Sequence, residues 1–267
     1  YGTACVDTAN GKVMWTRRDL NCDHEKGAGP ASSPMLIGNK MVVHVDGRDV
    51  QYIVALDTTT GKTVWKTPRS LDYSKIPVHH RKAYSMPFLA PRGKGFQLIS
   101  PAGRGLYSYE PDPGKELWHL RHRGWSVAPR QIFGQGLIYA MVDRDRPELW
   151  AIRPDGNGDV TDTHIVWSEA RGMPQRCSPL LVDDLLYLVN RGGIATCLEA
   201  KTGKLIWKES LKGAYSASPI YAKGRIYLFN ESASATILRP GRKFEVIATN
   251  ILASQPLLAT PAVDGDA

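Results

Sequence analysis

This chain of 267 residues predicts an all-β fold, a β-propeller of four-stranded antiparallel blades. Three observations carry that expectation. Gly-x-x-x-Trp recurs at Gly11/Trp15, Gly61/Trp65, Gly114/Trp118 and Gly203/Trp207, and Trp167 fills the same slot after a longer turn. A residue pair ending in proline precedes each unit, as Ser33-Pro34, Met86-Pro87, Ala128-Pro129, Ser178-Pro179, Ser218-Pro219 and Thr260-Pro261. Successive prolines lie 53, 42, 50, 40 and 42 residues apart, which is the period of a blade of four short strands.

The clearest single element is Val54–Trp65, VALDTTTGKTVW. Its β-branched and large apolar runs suit a half-buried pleated surface. Asp57 and Thr58–Thr60 can bond their own backbone in the turn. Gly61 can take the positive φ that closes it. The Trp65 ring is too large to hide inside one sheet, so it is expected to wedge against the neighbouring blade, its N–H meeting a carbonyl. The unit from Pro179 shows all four strands: PLLV, LLYLVN, IATCLEA and KLIW.

In chain order, residues 1–15 read as the outer hairpin of a first blade and 16–31 as a long charged connection. Residues 32–66 form a blade with strands near 34–37, 41–45, 51–56 and 62–66, and 67–84 a second long loop. Further blades follow at about 85–119, 126–168, 177–208 and 216–248. The last has Gly241 in its turn but no Trp, and residues 249–267 begin another. This gives roughly six blades or partial blades, in one repeat domain over 1–267. The chain is expected to be a fragment, cut inside a blade at one or both ends, of a parent with seven or eight. The segment Asp155–Asp162, DGNGDVTD, has the composition of a calcium loop without the closing Glu, and reads as an elongated hairpin turn.

These motifs carry a resemblance. Ala55-Leu56-Asp57 through Gly61-Lys62 to Trp65 fits A-x-D-x-x-x-G-K-x-x-W, the tryptophan-docking motif of pyrroloquinoline-quinone (PQQ)-like propeller repeats. Cys5-Val6-Asp7 to Trp15 fits with Cys for Ala; Ser108-Tyr109-Glu110 to Trp118 and Cys197-Leu198-Glu199 to Trp207 fit with Glu for Asp. The resemblance spans nearly the whole chain. It implies that Trp15, Trp65, Trp118, Trp167 and Trp207 are structural blade-docking residues. BamB-like lipoproteins of outer-membrane assembly and quinoprotein dehydrogenases share the repeat, so the motif implies a fold and not a cofactor.

Composition narrows the function classes. No run approaches the roughly 18–20 apolar residues of a membrane-spanning helix. The net charge of +8 is scattered through loops with no aromatic interleaving, which argues against nucleic acid. Cys5, Cys22, Cys177 and Cys197 match no zinc spacing; Cys5 and Cys197 fill a small-residue slot of the hairpin, and a Cys5–Cys22 disulfide is compatible with an extracytoplasmic protein.

In such a fold the variable loops share one face, at the mouth of the channel, and binding sits on variable loops of a rigid scaffold. That face is expected to gather His24, Lys26, Arg69, His79, His80, Arg81, Lys82, Arg123, Trp125 and Arg176, with Asp46, Arg104, Asp143 and Arg144 from the second set of loops. The candidate ligand rim is His79, His80, Arg81, Arg123, Trp125, Asp143, Arg144 and Arg176, a mixed but cationic surface able to hold a protein, an acidic peptide or an anionic glycan. Solvated loop charge is its plainest reading. Trp125 reads equally as a stacking platform or a core residue, and His79-His80 lack a third partner at metal-ligand spacing.

No nucleophile–base set or paired carboxylates emerge, so catalytic residues are not assigned, and neither metal nor cofactor is expected. The expected function is a non-catalytic binding or scaffolding module, periplasmic or secreted in a bacterium, its signal peptide lying in a missing N-terminal part. The alternative is a PQQ-dependent dehydrogenase of an alcohol or sugar, holding PQQ over Ca²⁺. The vicinal Cys pair that the resemblance to the large quinoprotein alcohol dehydrogenases implies is absent, and Asp143 or Asp145 could be nominated as base by location alone.

Overall fold

A computed structural model describes residues 2–24, 32–252 and 255–263. Strands β1 (Thr3–Val6) and β2 (Val13–Arg17) form a hairpin. Four-stranded antiparallel meanders follow. The first is β3 (Met35–Ile37), β4 (Lys40–Asp46), β5 (Gln51–Asp57) and β6 (Thr63–Pro68). The next is β7 (Phe88–Arg92), β8 (Gly95–Ala102), β9 (Gly105–Tyr109) and β10 (Glu116–Arg121). Then come β11 (Ile132–Gly134), β12 (Leu137–Val142) and β13 (Glu148–Ile152), the two-residue β14 (Gly158–Asp159), and β15 (Ile165–Glu169), which pairs with β13. The last two are β16 (Leu180–Val182) to β19 (Leu205–Ser210), through β17 (Leu185–Val189) and β18 (Ile194–Glu199), and β20 (Ile220–Ala222) to β23 (Val246–Ile251), through β21 (Arg225–Phe229) and β22 (Ser234–Leu238). Helical structure is confined to two 3₁₀ turns, Tyr73–Lys75 and Val78–His80, in the β6–β7 connection. The new strand expected after Pro261 is not formed among the described residues.

The chain divides into two compact units. One runs to Ala128 and includes Pro154–His164; the other holds Pro129–Arg153 and the residues from Ile165 on. Burial follows strand position. Second strands such as β12, LIYAMV, and β17, LLYLV, are buried at every residue, because both faces of the sheet are covered. Outermost strands alternate, as in β15.

The hairpin turn explains the repeat. Asp57 Oδ1 accepts the N–H groups of Thr59 (3.1 Å) and Thr60 (2.8 Å), Gly61 N–H donates to the Asp57 carbonyl (2.9 Å), and Gly61 has φ +69°. Those bonds to its side chain hold the Asp57 carboxyl below the ordinary range, the Thr60 hydroxyl first. The same backbone closure recurs at Asp7/Gly11, Glu110/Gly114 and Glu199/Gly203. Each docking Trp pairs across the hairpin with a small residue, as Cys5–Trp15, Ala55–Trp65, Ser108–Trp118, Ala151–Trp167 and Cys197–Trp207.

Within each unit the indoles reach the next turn. Trp15 donates to Thr58 O (2.9 Å), Trp65 to Pro111 O (3.2 Å) and Trp167 to Ala200 O (3.0 Å), each the residue after the acid that opens the turn. The rings lie on Gly61, Gly114 and Gly203, where a Cβ would collide with them. Trp207 donates to Gly241 O (3.1 Å). In the last sheet Ala248 occupies the Trp register opposite Ile237, a bulky residue where the other hairpins have a small one.

The acidic loop does not gather its carboxylates for calcium. Asp159 pairs with Arg121 (3.0 Å) and Asp155 faces His164 (3.5 Å), while β14 adds a parallel fifth strand beside β10. The four cysteines are free thiols, so the Cys5–Cys22 bridge considered above is not formed.

Candidate functional site

In the first unit the β6–β7 connection, the β8–β9 turn and the β10–β11 connection meet at one place. Tyr73 anchors the first of these. Its hydroxyl donates to Gly103 O (2.6 Å) and its ring is buried. Tyr84 N–H donates to Val127 O (3.0 Å), Ser126 N–H to Lys82 O (3.0 Å) and Arg104 N–H to Gly124 O (3.0 Å). Three loops that are distant in sequence are thereby fixed by backbone hydrogen bonds.

On that frame His79, His80 and Trp125 come together. The His79 and His80 ring centroids are 4.1 Å apart, and those of His80 and Trp125 are 5.0 Å apart. Trp125 is half-buried, with Lys82 Nζ 5.7 Å from its ring centroid. Arg81 spends its guanidinium on carbonyls, donating through Nε to Ile76 O (2.8 Å) and through Nη1 and Nη2 to Arg48 O and Ser74 O (both 3.4 Å). Arg123 is exposed, and its carbonyl accepts a bond from Arg104 Nη1. In the second unit, Asp143 has φ +70° and its Oδ1 caps Asp145 N (3.0 Å), Arg144 stands beside it in the same turn, and Arg176 Nη1 donates to Ser216 Oγ (3.1 Å). Lys26 lies outside the described residues.

His24, Lys82, Arg69 and Asp46, all expected on the loop surface, are instead buried. Arg69 and Asp46 form a bidentate ion pair, Nη2–Oδ2 2.7 Å and Nε–Oδ1 3.1 Å, with both side chains fully buried. Arg69 also donates to Ser100 Oγ (2.9 Å) and Tyr109 OH (3.2 Å). Burial opposes its charge, but Asp46 overrides that and the guanidinium pKa is raised. Sequence reasoning missed Ser100 and Tyr109; a charged pair ending strands β4 and β6 was the available signal.

Beside that pair lies a cavity of about 320 Å³ lined by Cys22, His24, Ser32, His44 and Asp46 among others. Ser32 Oγ and His44 Nε2 are 2.6 Å apart, the spacing of a nucleophile and its base. The chemistry does not follow. His44 Nδ1 faces Ser100 Oγ (3.4 Å) rather than a carboxylate, and burial pushes the imidazole down to about 4, far too weak a base near neutrality. Cys22 Sγ is 3.1 Å from His24 Nε2, but burial pushes the thiol up to about 12, so it stays protonated. No three His, Cys, Asp or Glu side chains among the described residues converge as a metal would need, and the Asp143 carboxylate is engaged in its own turn.

A second cavity, about 390 Å³, lies at the meeting of the three loops and is lined by Leu71, Asp72, Lys75, Ile76, Arg104, Arg121 and His122 among others.

The family model described as outer membrane protein assembly factor BamB matches residues 2–140 and 134–239. The chain is 26% identical over 184 residues to the outer membrane protein assembly factor BamB of Alkalilimnicola ehrlichii, covering 67% of this chain and 43% of that protein. It is 23% identical over 223 residues to the protein of the same description from Shewanella oneidensis, covering 75% and 50%. The chain thus spans about half the length of these relatives. Among solved structures, a europium-containing methanol dehydrogenase superposes with a TM-score of 0.60 at 13% identity, covering 86% of this chain and 55% of that one, a likeness of fold alone.

Proposed function

From the premise that this chain belongs to the PQQ-like propeller family described as outer membrane protein assembly factor BamB, we propose that it is a non-catalytic, protein-binding scaffold of the bacterial envelope, facing the periplasm. One observation carries the reading. The loops of the first unit are held by backbone bonds and present aromatic rings and cations, whereas in the two pairs with catalytic spacing, Ser32–His44 and Cys22–His24, burial leaves His44 a weak base and Cys22 a protonated thiol. A rigid scaffold with a decorated loop face suits recognition.

In this reading the ligand rim is His79, His80, Arg81, Arg123 and Trp125, with Asp143, Arg144 and Arg176 as a further set, on one propeller domain. The five tryptophans serve blade docking. The curated relatives' name, assembly factor, supports a partner that is itself a protein of the outer membrane.

The test is in cells. The whole protein, carrying a photocrosslinking amino acid at His79, is expressed in its bacterium, irradiated and fractionated. Adducts with envelope proteins are expected. Recovery of the protein from the cytoplasm without such adducts would overturn the reading.

A further inference from the structure

We propose that the 390 Å³ cavity in the first unit is a binding site for an acidic polypeptide segment, with Arg104 as its anchor. The inference rests on the protein-binding reading above and names the chemistry of the partner.

Arg104 is held in an unusual state. Its φ is +67°, a left-handed conformation that is unfavourable for a non-glycine residue. The backbone is locked there from both sides, by Arg104 N–H to Gly124 O (3.0 Å) and His122 N–H to Arg104 O (3.1 Å). The guanidinium is pinned as well, Nη1 donating to Arg123 O and Nη2 meeting His80 Nδ1. Nε has no hydrogen-bond partner. Only two of the five guanidinium N–H groups are thus engaged. Among the described residues no carboxylate lies within ion-pair distance of Arg104.

The described residues around it supply no free carboxylate. Arg81 is satisfied by carbonyls, which supply hydrogen bonds but no counter-charge. The acids nearby are already paired, Asp159 with Arg121 (3.0 Å) and Asp72 with Lys75 (3.3 Å). His122 lies in the same wall, its Nδ1 accepting Gly124 N–H (3.1 Å). A concave cationic surface of this kind concentrates anions.

Leu71 and Ile76 select among anions. They give the cavity an apolar wall that phosphate or a uronate sugar would leave unused. A chain alternating acidic and apolar side chains would use both walls.

The test measures fluorescence anisotropy of a labelled octapeptide alternating glutamate and leucine, titrated with the whole protein. Saturable binding that weakens with salt is expected. Arg104→Gly removes the guanidinium while keeping a residue at ease at positive φ, so the turn is retained. It is expected to weaken binding about tenfold or more, the loss that follows removal of a hydrogen bond to a charged group. Arg104→Lys, which keeps charge but loses the fork, should fall between, and Lys201→Ala, on an exposed hairpin tip, should bind as wild type. The proposal is overturned by wild-type binding in both Arg104 variants, by equal binding of the glutamine–leucine peptide, or by displacement of the peptide at equal or lower concentrations of hexagalacturonate. Absence of saturable binding would overturn this site and leave the scaffold reading to the cellular crosslinks.

Discussion

The indole N–H of Trp118 donates to the side-chain carbonyl of Gln97 at 2.9 Å, and both residues are fully buried. Trp15, Trp65, Trp167 and Trp207 reach backbone carbonyls instead. The difference has a local cause. The hairpin that follows is lengthened by residues 154–164, so the ring of Trp118 packs on Gly156, with Val160 filling in beside it. Gln97 ties that arrangement together. It accepts also from Ser108 Oγ (2.6 Å) and donates to Pro154 O (2.8 Å). Gln97→Leu strands several buried polar groups at once and is expected to destabilise the protein by ~2–4 kcal/mol. Gln97→Glu, which keeps the acceptor, should cost less if it takes up a proton. Urea midpoints compare the two, and equal loss would dismiss the acceptor as the reason.

Two turn glycines separate conformational strain from packing. Gly203 and Gly224 have φ of +71° and +73°. A Cβ on Gly203 would sit 2.7 Å from Trp167 Cδ2, whereas one on Gly224 would meet nothing within 4 Å. Gly224→Ala is therefore expected to cost only the left-handed penalty, ~1–2 kcal/mol. Gly203→Ala should cost ~1–2 kcal/mol more, because the indole must shift off its seat. Thermal melts of the two variants read the gap directly, and equal losses would mean that Trp167 gives way freely.

These contacts also mark what was legible in the sequence. The Gly-x-x-x-Trp units declare themselves because a positive φ and a bulky ring leave no freedom of residue type at Gly61/Trp65 or Gly203/Trp207. Strand boundaries in the unit from Ser32 to Lys66 were readable from apolar runs such as Ile53–Leu56, closed by the turn residues from Asp57 to Gly61. The fate of Arg69 and Asp46 was not, since a charge at a strand end looks alike whether solvated or paired in the core. Arg104 could be placed on a loop but not in its strained backbone, which depends on Gly124 some twenty residues on. Ala248 in the tryptophan register is visible only once the pairing with Ile237 is known.

His44 gives the fold a pH dependence of definite sign. An unfolded histidine binds a proton below about pH 6.5, while burial, helped by the charge of Arg69 against that of Asp46, holds folded His44 to about 4. Between those values the unfolded chain binds the extra proton, so stability is complete above about 6.5 and drains away as the pH falls toward 4. The loss attributable to this group is ~3 kcal/mol. His44→Gln can still bridge Ser32 and Ser100, and its urea midpoint should be flatter across that window. An unchanged slope in the variant would show that other groups carry the dependence.

The Arg69–Asp46 pair offers the sharpest test of what holds the first unit together. Its charges are excluded from water, and the Tyr107 ring centroid is 4.9 Å from the guanidinium carbon. Asp46→Asn leaves Arg69 charged in a place where it cannot be solvated, and is expected to cost ~3–5 kcal/mol. Arg69→Met does the same to Asp46. Removing both charges, as Asp46→Asn with Arg69→Met, takes away the need for either, so the double variant should be more stable than each single one. The double-mutant cycle by urea unfolding then yields a large coupling energy. Additive losses would mean that Ser100 and Tyr109 alone satisfy Arg69, and that the carboxylate is dispensable.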